Sequence, residues 1–299
     1  MYRQVVASII VAALALTLGL SGALAAPKFT VGLSISTLNN PFFVDLRDGA
    51  QTAAAKAGVM LVILDAQNDP AKQASSIEDL IAKKVNLVVI NPTDSDAIVP
   101  TVKKLNAAKI PVITVDRGAS GGDIVAHIAS DNVAGGVMAA EYVGKRLNGK
   151  GTVIMLEGIA GTSAARDRGK GFRDGLKKYP GITLVASQTA DFDRAKGLQV
   201  MENILQAQKK VDAVFAQNDE MALGAVQAIG AAKRDKETFV VGFDAIADAL
   251  KAVQEGKLAA TIAQQPREMG RLAVEAAAKA LGGQKLPTFT PVPLKLVTK

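Results

Sequence analysis

Short apolar runs rich in Val, Ile and Leu alternate along the chain with longer stretches whose apolar residues recur at three- and four-residue steps. Short apolar runs bounded by turn formers read as buried strands, and the stepped stretches read as amphipathic helices. The pattern predicts strands at residues 30–36, 60–65, 87–91, 110–116, 152–157, 182–186, 213–216 and 239–243. After the first, Asn40 is placed to cap a helix whose first turn takes Pro41, and Phe43, Leu46, Ala50, Ala53, Ala54 and Ala57 share one face. Ala74, Ile77, Leu80 and Ile81 repeat that spacing in the next gap, as do Leu198, Met201, Ile204 and Leu205 in a later one. Alternation of this kind predicts an α/β fold with parallel sheet and helices on both faces.

Two sheets suit the length better than one. The segment Asp131-Asn132-Val133-Ala134-Gly135-Gly136 follows a short strand and opens a helix, which makes it a place for the chain to leave a first lobe. A second passage is expected near Ala263-Gln264-Gln265-Pro266. No low-complexity linker separates the halves, so two lobes would share several close connections, a geometry that favours a hinge.

Polar or aromatic clusters stand where strands end: Asn91-Pro92-Thr93-Asp94, Asp116-Arg117, Gln217-Asn218-Asp219 and Phe243-Asp244. Any one of them reads as ordinary turn chemistry. Their recurrence suggests one polar site, because ligands of open α/β sheets bind beyond the carboxyl ends of strands. Asp and Asn oxygens with Arg and Asn N–H groups suit hydroxyls, which both donate and accept, and flat rings suit the apolar C–H faces of a sugar. Four of the nine Phe residues, Phe42, Phe43, Phe192 and Phe243, lie beside such segments.

The amino terminus predicts export. Arg3 precedes an uncharged run over residues 5–20, and Ala23-Leu24-Ala25 supplies small residues for a signal peptidase, so a leader over residues 1–25 and a mature start at Ala26 are expected. The run is short for a membrane-spanning helix. With no Cys in the chain, a lipid anchor on Cys, disulfides, thiolate metal sites and Cys nucleophiles are excluded. The net charge of +7 is spread among mixed charges on helix faces and reads as surface solvation, not as a nucleic-acid footprint.

Motifs for catalysis are absent. His127 is the only His and stands in an apolar run, which reads as structural packing and leaves no His-based triad. Gly161-Thr162-Ser163-Ala164-Ala165 lacks the second Gly of a nucleophile elbow, and no Gly-rich stretch fits a phosphate or dinucleotide loop. Strand-end carboxylates could serve a glycosidase, but Arg117 beside Asp116 is expected to hold that carboxyl ionised. A binding protein therefore outranks an enzyme, and no cofactor or metal is implied.

The segments Ser36-Thr37-Leu38-Asn39-Asn40-Pro41-Phe42-Phe43, Ile90-Asn91-Pro92-Thr93-Asp94-Ser95-Asp96, Val115-Asp116-Arg117, residues 158–166, residues 190–194, residues 215–220, Gly242-Phe243-Asp244 and residues 258–264 follow one another in the order of the ribose-binding branch of the type I periplasmic binding proteins, which the chain resembles over essentially its whole mature length. The resemblance implies two Rossmann-like doubly wound parallel-sheet lobes joined by a three-stranded hinge. The first would span residues 26–130, completed by about 265–293, and the second residues 131–264, completed by about 294–299. Carried over by motif, Ser36, Asn40, Phe42, Phe43, Asn91, Asp116 and Arg117 of the first lobe and Arg166, Phe192, Asn218, Phe243 and Asp244 of the second would bind the sugar, with Gln264 at the hinge. Phe42 and Phe43 would face Phe192 across the ring, and Asp116, Arg117, Arg166 and Asp244 would take the hydroxyls. Ala245-Ile246-Ala247 departs from the Gly- and Thr-containing turn the family pattern leads one to expect, which would alter the hinge or the lip of the cleft.

The resemblance also implies a periplasmic monomer that closes on D-ribose or a similar monosaccharide and presents it to the permease of an ABC importer. A chemotaxis receptor serves as a second partner for some relatives. Other monosaccharides such as allose, another pentose or a furanosyl signal stand as alternatives. The sensing core of a LacI-type repressor shares the fold, but it requires a helix-turn-helix where this chain carries the leader pattern. A sugar-processing enzyme would require a placed acid and base.

Overall fold

The structure, a computed structural model, describes residues 29–299, and the predicted leader lies outside them. In chain order the first lobe takes β1 (Phe29–Ile35), α1 (Pro41–Ala57), β2 (Val59–Asp65), α2 (Pro70–Ala82), β3 (Leu87–Ile90), α3 (Val99–Ala107), β4 (Val112–Val115) and β5 (Ala126–Ala129). The second takes α4 (Asn132–Arg146), β6 (Lys150–Glu157), α5 (Ser163–Leu176), β7 (Gly181–Thr189), α6 (Arg194–Ala207), β8 (Ala213–Ala216), α7 (Asp219–Ala231), β9 (Phe239–Asp244), α8 (Ala247–Gln254) and β10 (Ala260–Ala263). The chain then returns through α9 (Pro266–Leu281) and β11 (Phe289–Pro291) to the first lobe and ends in the second with β12 (Lys295–Thr298).

Strand order is β2-β1-β3-β4-β5-β11 in one sheet and β7-β6-β8-β9-β10-β12 in the other, so the two lobes repeat one topology. Every pairing is parallel except that of β12 with β10. The central strands are apolar throughout, as sheets covered on both faces require; β3, β4 and β8 are buried at every residue. The chain passes between the sheets three times: after β5, after β10, and between β11 and β12.

Each lobe is finished by a helix that follows the fifth strand of the other. α4 packs on α5, and α9 packs on α1. Both contacts bring backbones together. A Cβ on Gly270 would lie 2.0 Å from the Leu46 carbonyl oxygen, and one on Gly171 would lie 2.0 Å from that of Val133, so these crossings admit only glycine. Each of these helix pairs lies within one lobe and completes it, and the chain joins the lobes at the three crossings.

The predicted strands are present with shifted ends. The run over 110–116 yields only Val112–Val115, because Pro111 cannot donate to a ladder. β11 and β12, three and four residues long, are edge strands with half-exposed side chains, and no apolar run marks them in the sequence. The chain leaves the first sheet after β5, on which His127 is packed against the Phe289 ring with its Nδ1 2.9 Å from the Thr114 hydroxyl. Burial holds that imidazole below its usual pKa.

Candidate functional site

The site is assembled from strand ends and helix starts of both lobes. Asn40 caps α1 through its side-chain oxygen, which accepts from the Phe42 N–H at 2.9 Å, and Pro41 opens the first turn. This cap fixes Phe42 and Phe43 side by side, their rings 5.1 Å apart and nearly perpendicular. After β4 the backbone turns sharply: Asp116 has φ 62, a left-handed conformation uncommon for a residue with a side chain, and its N–H donates to the Ile128 carbonyl at 2.8 Å. In the other lobe Phe192 has φ 59, and Asn218, which caps α7, donates through Nδ2 to the Phe192 carbonyl at 3.2 Å. Asp244 ends β9 with φ 120. Three lining residues thus carry positive φ, as residues of turns elsewhere in the chain do.

Between these segments lies a small cavity lined by Asn40, Phe42, Phe43, Asp116 and Arg117 from one lobe and by Ala164, Arg168, Phe192, Asn218, Asp244 and Gln264 from the other. The Arg117 guanidinium lies 5.1 Å from the Phe43 ring centre and 5.3 Å from that of Phe192, so it bridges the lobes. The lobes also meet directly. The Ser95 N–H donates to the Gly161 carbonyl at 2.8 Å, the Ser163 N–H to the Ser95 hydroxyl at 3.1 Å, and the Gly118 N–H to the Ser163 hydroxyl at 2.9 Å.

Arg166, assigned to the site by motif, is not in the cavity. It is exposed on the outer face of α5, where it donates to the Gly161 carbonyl at 3.1 Å. The guanidinium inside belongs to Arg168. Two residues along a helix turn the side chain by about 200°, so the two arginines face opposite ways, and Arg168 shares its face with Ala164, one turn earlier. Arg168 is locked in place: Nε donates to Asn132 Oδ1 at 2.8 Å, Nη1 donates to the Gln217 carbonyl at 2.7 Å, and the guanidinium stacks 3.9 Å from the Phe243 ring centre. The spacing from Ala164 was the available signal in the sequence.

Three further predicted residues do not line the cavity. Phe243 is fully buried in the second lobe's core under Arg168. Asn91 donates to Asp116 Oδ2 and to the Val115 carbonyl, both at 3.1 Å, and accepts from the Ser36 N–H at 3.2 Å, so it fixes the carboxylate that does line the cavity. Gln73 continues this network, donating to the Asn91 carbonyl at 2.9 Å and accepting from the Thr93 N–H at 2.9 Å. Ser36 is buried, with its hydroxyl unpartnered.

Two carboxyl groups and two guanidiniums share the cavity. Their pairings are loose, 3.8 Å between Arg117 Nε and Asp116 Oδ2 and 3.6 Å between Arg168 Nη1 and Asp244 Oδ1. Burial consequently outweighs the neighbouring arginines. The Asp116 carboxyl is raised above its ordinary value by burial, against the opposing pull of Arg117, Arg168 and the Asn91 hydrogen bond. Asp244 is pushed up to about 7 by burial, against the opposing pull of Arg168 and the hydrogen bond from Gln264 Nε2 at 2.8 Å. Burial lowers Arg117 to about 10, so it remains charged at neutral pH. Arg117 Nε and Gln264 Oε1 are buried without a hydrogen-bond partner, a donor and an acceptor suited to a hydroxyl-rich ligand.

Such a fold, with half of a polar cavity on each lobe, defines a two-lobed solute-binding protein. Residues 31–285 match the model of the periplasmic binding protein domain, and the chain belongs to that family. It is 53% identical over 290 residues to the ribose import binding protein RbsB of Escherichia coli, spanning 97% of each chain. To the ribose import binding protein RbsB of Bacillus subtilis it is 49% identical, spanning 91% of this chain and 88% of the relative. Among solved structures, the Caulobacter myo-inositol binding protein bound to myo-inositol superposes with a TM-score of 0.87 at 34% identity, spanning 90% of this chain and 93% of that one. An ABC transporter solute binding protein from Burkholderia graminis in complex with D-arabinose gives 0.87 at 30% identity, spanning 92% and 96%.

Proposed function

We propose that the protein is the exported substrate-binding subunit of an ABC sugar importer, that it takes D-ribose between its lobes, and that it catalyses no reaction. The observation that carries the reading is the division of one cavity between two lobes, with Phe42, Phe43, Asp116 and Arg117 supplied by one and Phe192, Arg168 and Asp244 by the other. The rings cover the apolar faces of a furanose or pyranose. Asp116, Arg117, Arg168 and Asp244 meet its hydroxyls together with Asn40, Asn218 and Gln264. An open form carries half of these groups on each lobe, so sugar favours closure by its differential affinity, and the closed pair of lobes is the shape a permease reads. Support for ribose as the sugar comes from the RbsB relatives. Support for an exported location comes from the leader pattern over residues 1–25 and from the family; among the described residues no helix is long and apolar enough to cross a membrane.

Since raised carboxyls are compatible with acid catalysis, the non-enzymatic reading rests on the relatives being binding proteins. The test is thermal unfolding of the mature protein with and without D-ribose, D-allose, D-arabinose and myo-inositol, with each mixture then analysed for product. A ligand at 1,000 times its Kd stabilises by about 4 kcal/mol, a shift of roughly 8–16 °C for a chain of this size. D-Ribose is expected to give the largest shift and to be recovered unchanged. A larger shift with another sugar would replace the ligand, and product formation would overturn the non-enzymatic reading.

A further inference from the structure

Asp219 stands beside the cavity without lining it. It is the first residue of α7, next to Asn218, and is wholly buried. Its Oδ2 accepts from the Ile246 N–H at 3.0 Å, and its Oδ1 accepts from the Thr261 hydroxyl at 2.7 Å. The Thr261 oxygen accepts in turn from the Ala245 N–H at 3.2 Å. The backbone tied down in this way is the segment immediately after Asp244.

That segment needs holding. Asp244 has φ 120 and Ala245 has φ 60, two successive side-chain-bearing residues in a region that favours glycine. The sheet leaves room for the carboxyl: a Cβ on Gly242 would lie 2.1 Å from Asp219 Oδ1, and Gly242 is the register partner of Thr261. Burial and the nearby Asp244 push the Asp219 carboxyl well above its ordinary value, so placing it here costs free energy that the site must recover elsewhere.

We infer that Asp219 is a positioning residue for sugar binding: it clamps the strained Asp244–Ala245 turn from behind and thereby sets where the Asp244 carboxyl stands against Arg168 and Gln264. The inference rests on the sugar-binding reading above. It also accounts for how Ala245-Ile246-Ala247 can occupy a turn for which a glycine would be the easier residue.

The test is a double-mutant cycle of Asp219→Asn with Asp244→Asn, read by calorimetric titration with D-ribose to millimolar concentration. A second readout is hydrogen exchange of the Ala245 and Ile246 amides in sugar-free protein. Asp219→Asn is near-isosteric, and a thermal unfolding curve for each variant checks that it folds. Coupled neighbours show interaction energies worth roughly a few-fold to a hundredfold, so Asp219→Asn is expected to weaken binding by about tenfold beside Asp244 and by less than about twofold beside Asn at that position. Its Ala245 and Ile246 amides should exchange faster than those of the wild type. An equal loss in both backgrounds, or unchanged affinity, overturns the inference. Should the wild type give no heat with ribose, the sugar reading fails separately, and unchanged exchange at Ala245 and Ile246 would still overturn the clamp.

Discussion

Replacing Arg168 by Ala, with Arg166→Ala as its control, tests which face of α5 is turned toward the sugar. Arg168 is 4% exposed as a side chain, donates to Asn132 and Gln217, lies 3.6 Å from Asp244 and covers the Phe243 ring. Removing it leaves the raised Asp244 carboxyl with Gln264 alone as a side-chain partner and removes donors from the second lobe's half of the cavity. Truncating one partner of a buried hydrogen-bonded charge pair costs about 2–5 kcal/mol, which corresponds to an affinity loss of roughly 30-fold to a few thousandfold. Part of that loss is the cost of a stranded carboxyl and not the worth of the sugar contact, so Arg168→Met, which keeps the packing on Phe243, is the companion variant. Arg166 donates to the Gly161 carbonyl through an exposed bond outside the cavity, and its removal should change affinity by less than about twofold. The assay is calorimetric titration with ribose for all three variants. A loss of tens of fold in Arg166→Ala, with Arg168→Ala binding normally, would refute the assignment and with it the orientation of α5.

Two other predictions follow from the contact between lobes and from the buried carboxyls. A Cβ on Gly161 would lie 1.7 Å from Asp94 Oδ2, and Asp94 is held in place by accepting the Asp96 and Ala97 N–H groups, each at 2.8 Å. Gly161→Ala should therefore oppose closure, lowering ribose affinity by roughly 5- to 150-fold if one to three kcal/mol of inter-lobe contact is lost, with sugar-free stability unchanged; full affinity in calorimetry would contradict it. Because Asp244 stands at about 7 against roughly 4 unfolded, its contribution to stability is complete below about pH 4 and lost as pH rises through 7. A hydroxyl donating to the ionised carboxylate draws that pKa down, so binding near pH 6.5 should release a proton, and affinity should rise between pH 5 and 8 by no more than about tenfold per unit. Titration in two buffers of different ionisation heat reads the proton; no release in the wild type, or the same release in Asp244→Asn, contradicts this.

What the sequence made legible followed local rules. Asn40-Pro41-Phe42-Phe43 declares a capped helix start with two rings on its first turn, and the structure builds it so. The central strands are written as apolar runs because both faces of each sheet are covered. Where the reading missed, the deciding quantity was tertiary. Arg166 and Arg168 differ only in which side of α5 meets the other lobe, and a motif count resolves that less well than helical phase. Asn91 and Phe243 stand at strand ends like Asp116 and Asp244, yet they support the cavity without lining it, a difference set by the direction of single side chains. The direction in which the Asp116 pKa moves was likewise out of reach, because sequence shows an adjacent Arg117 but not the burial that outweighs it. β11 and β12 carry no apolar run at all, since each gains only an edge position from a neighbour already in place.

The central claim, that one sugar is held between the two lobes, is tested most directly by calorimetric titration of the sugar-free mature protein with D-ribose, accompanied by small-angle scattering of the same samples. The account predicts a single site per chain, saturable heat, and a radius of gyration that falls or stays at its closed value as ribose is added. No heat with ribose or any sugar of the panel, or a stoichiometry other than one per chain, would contradict it.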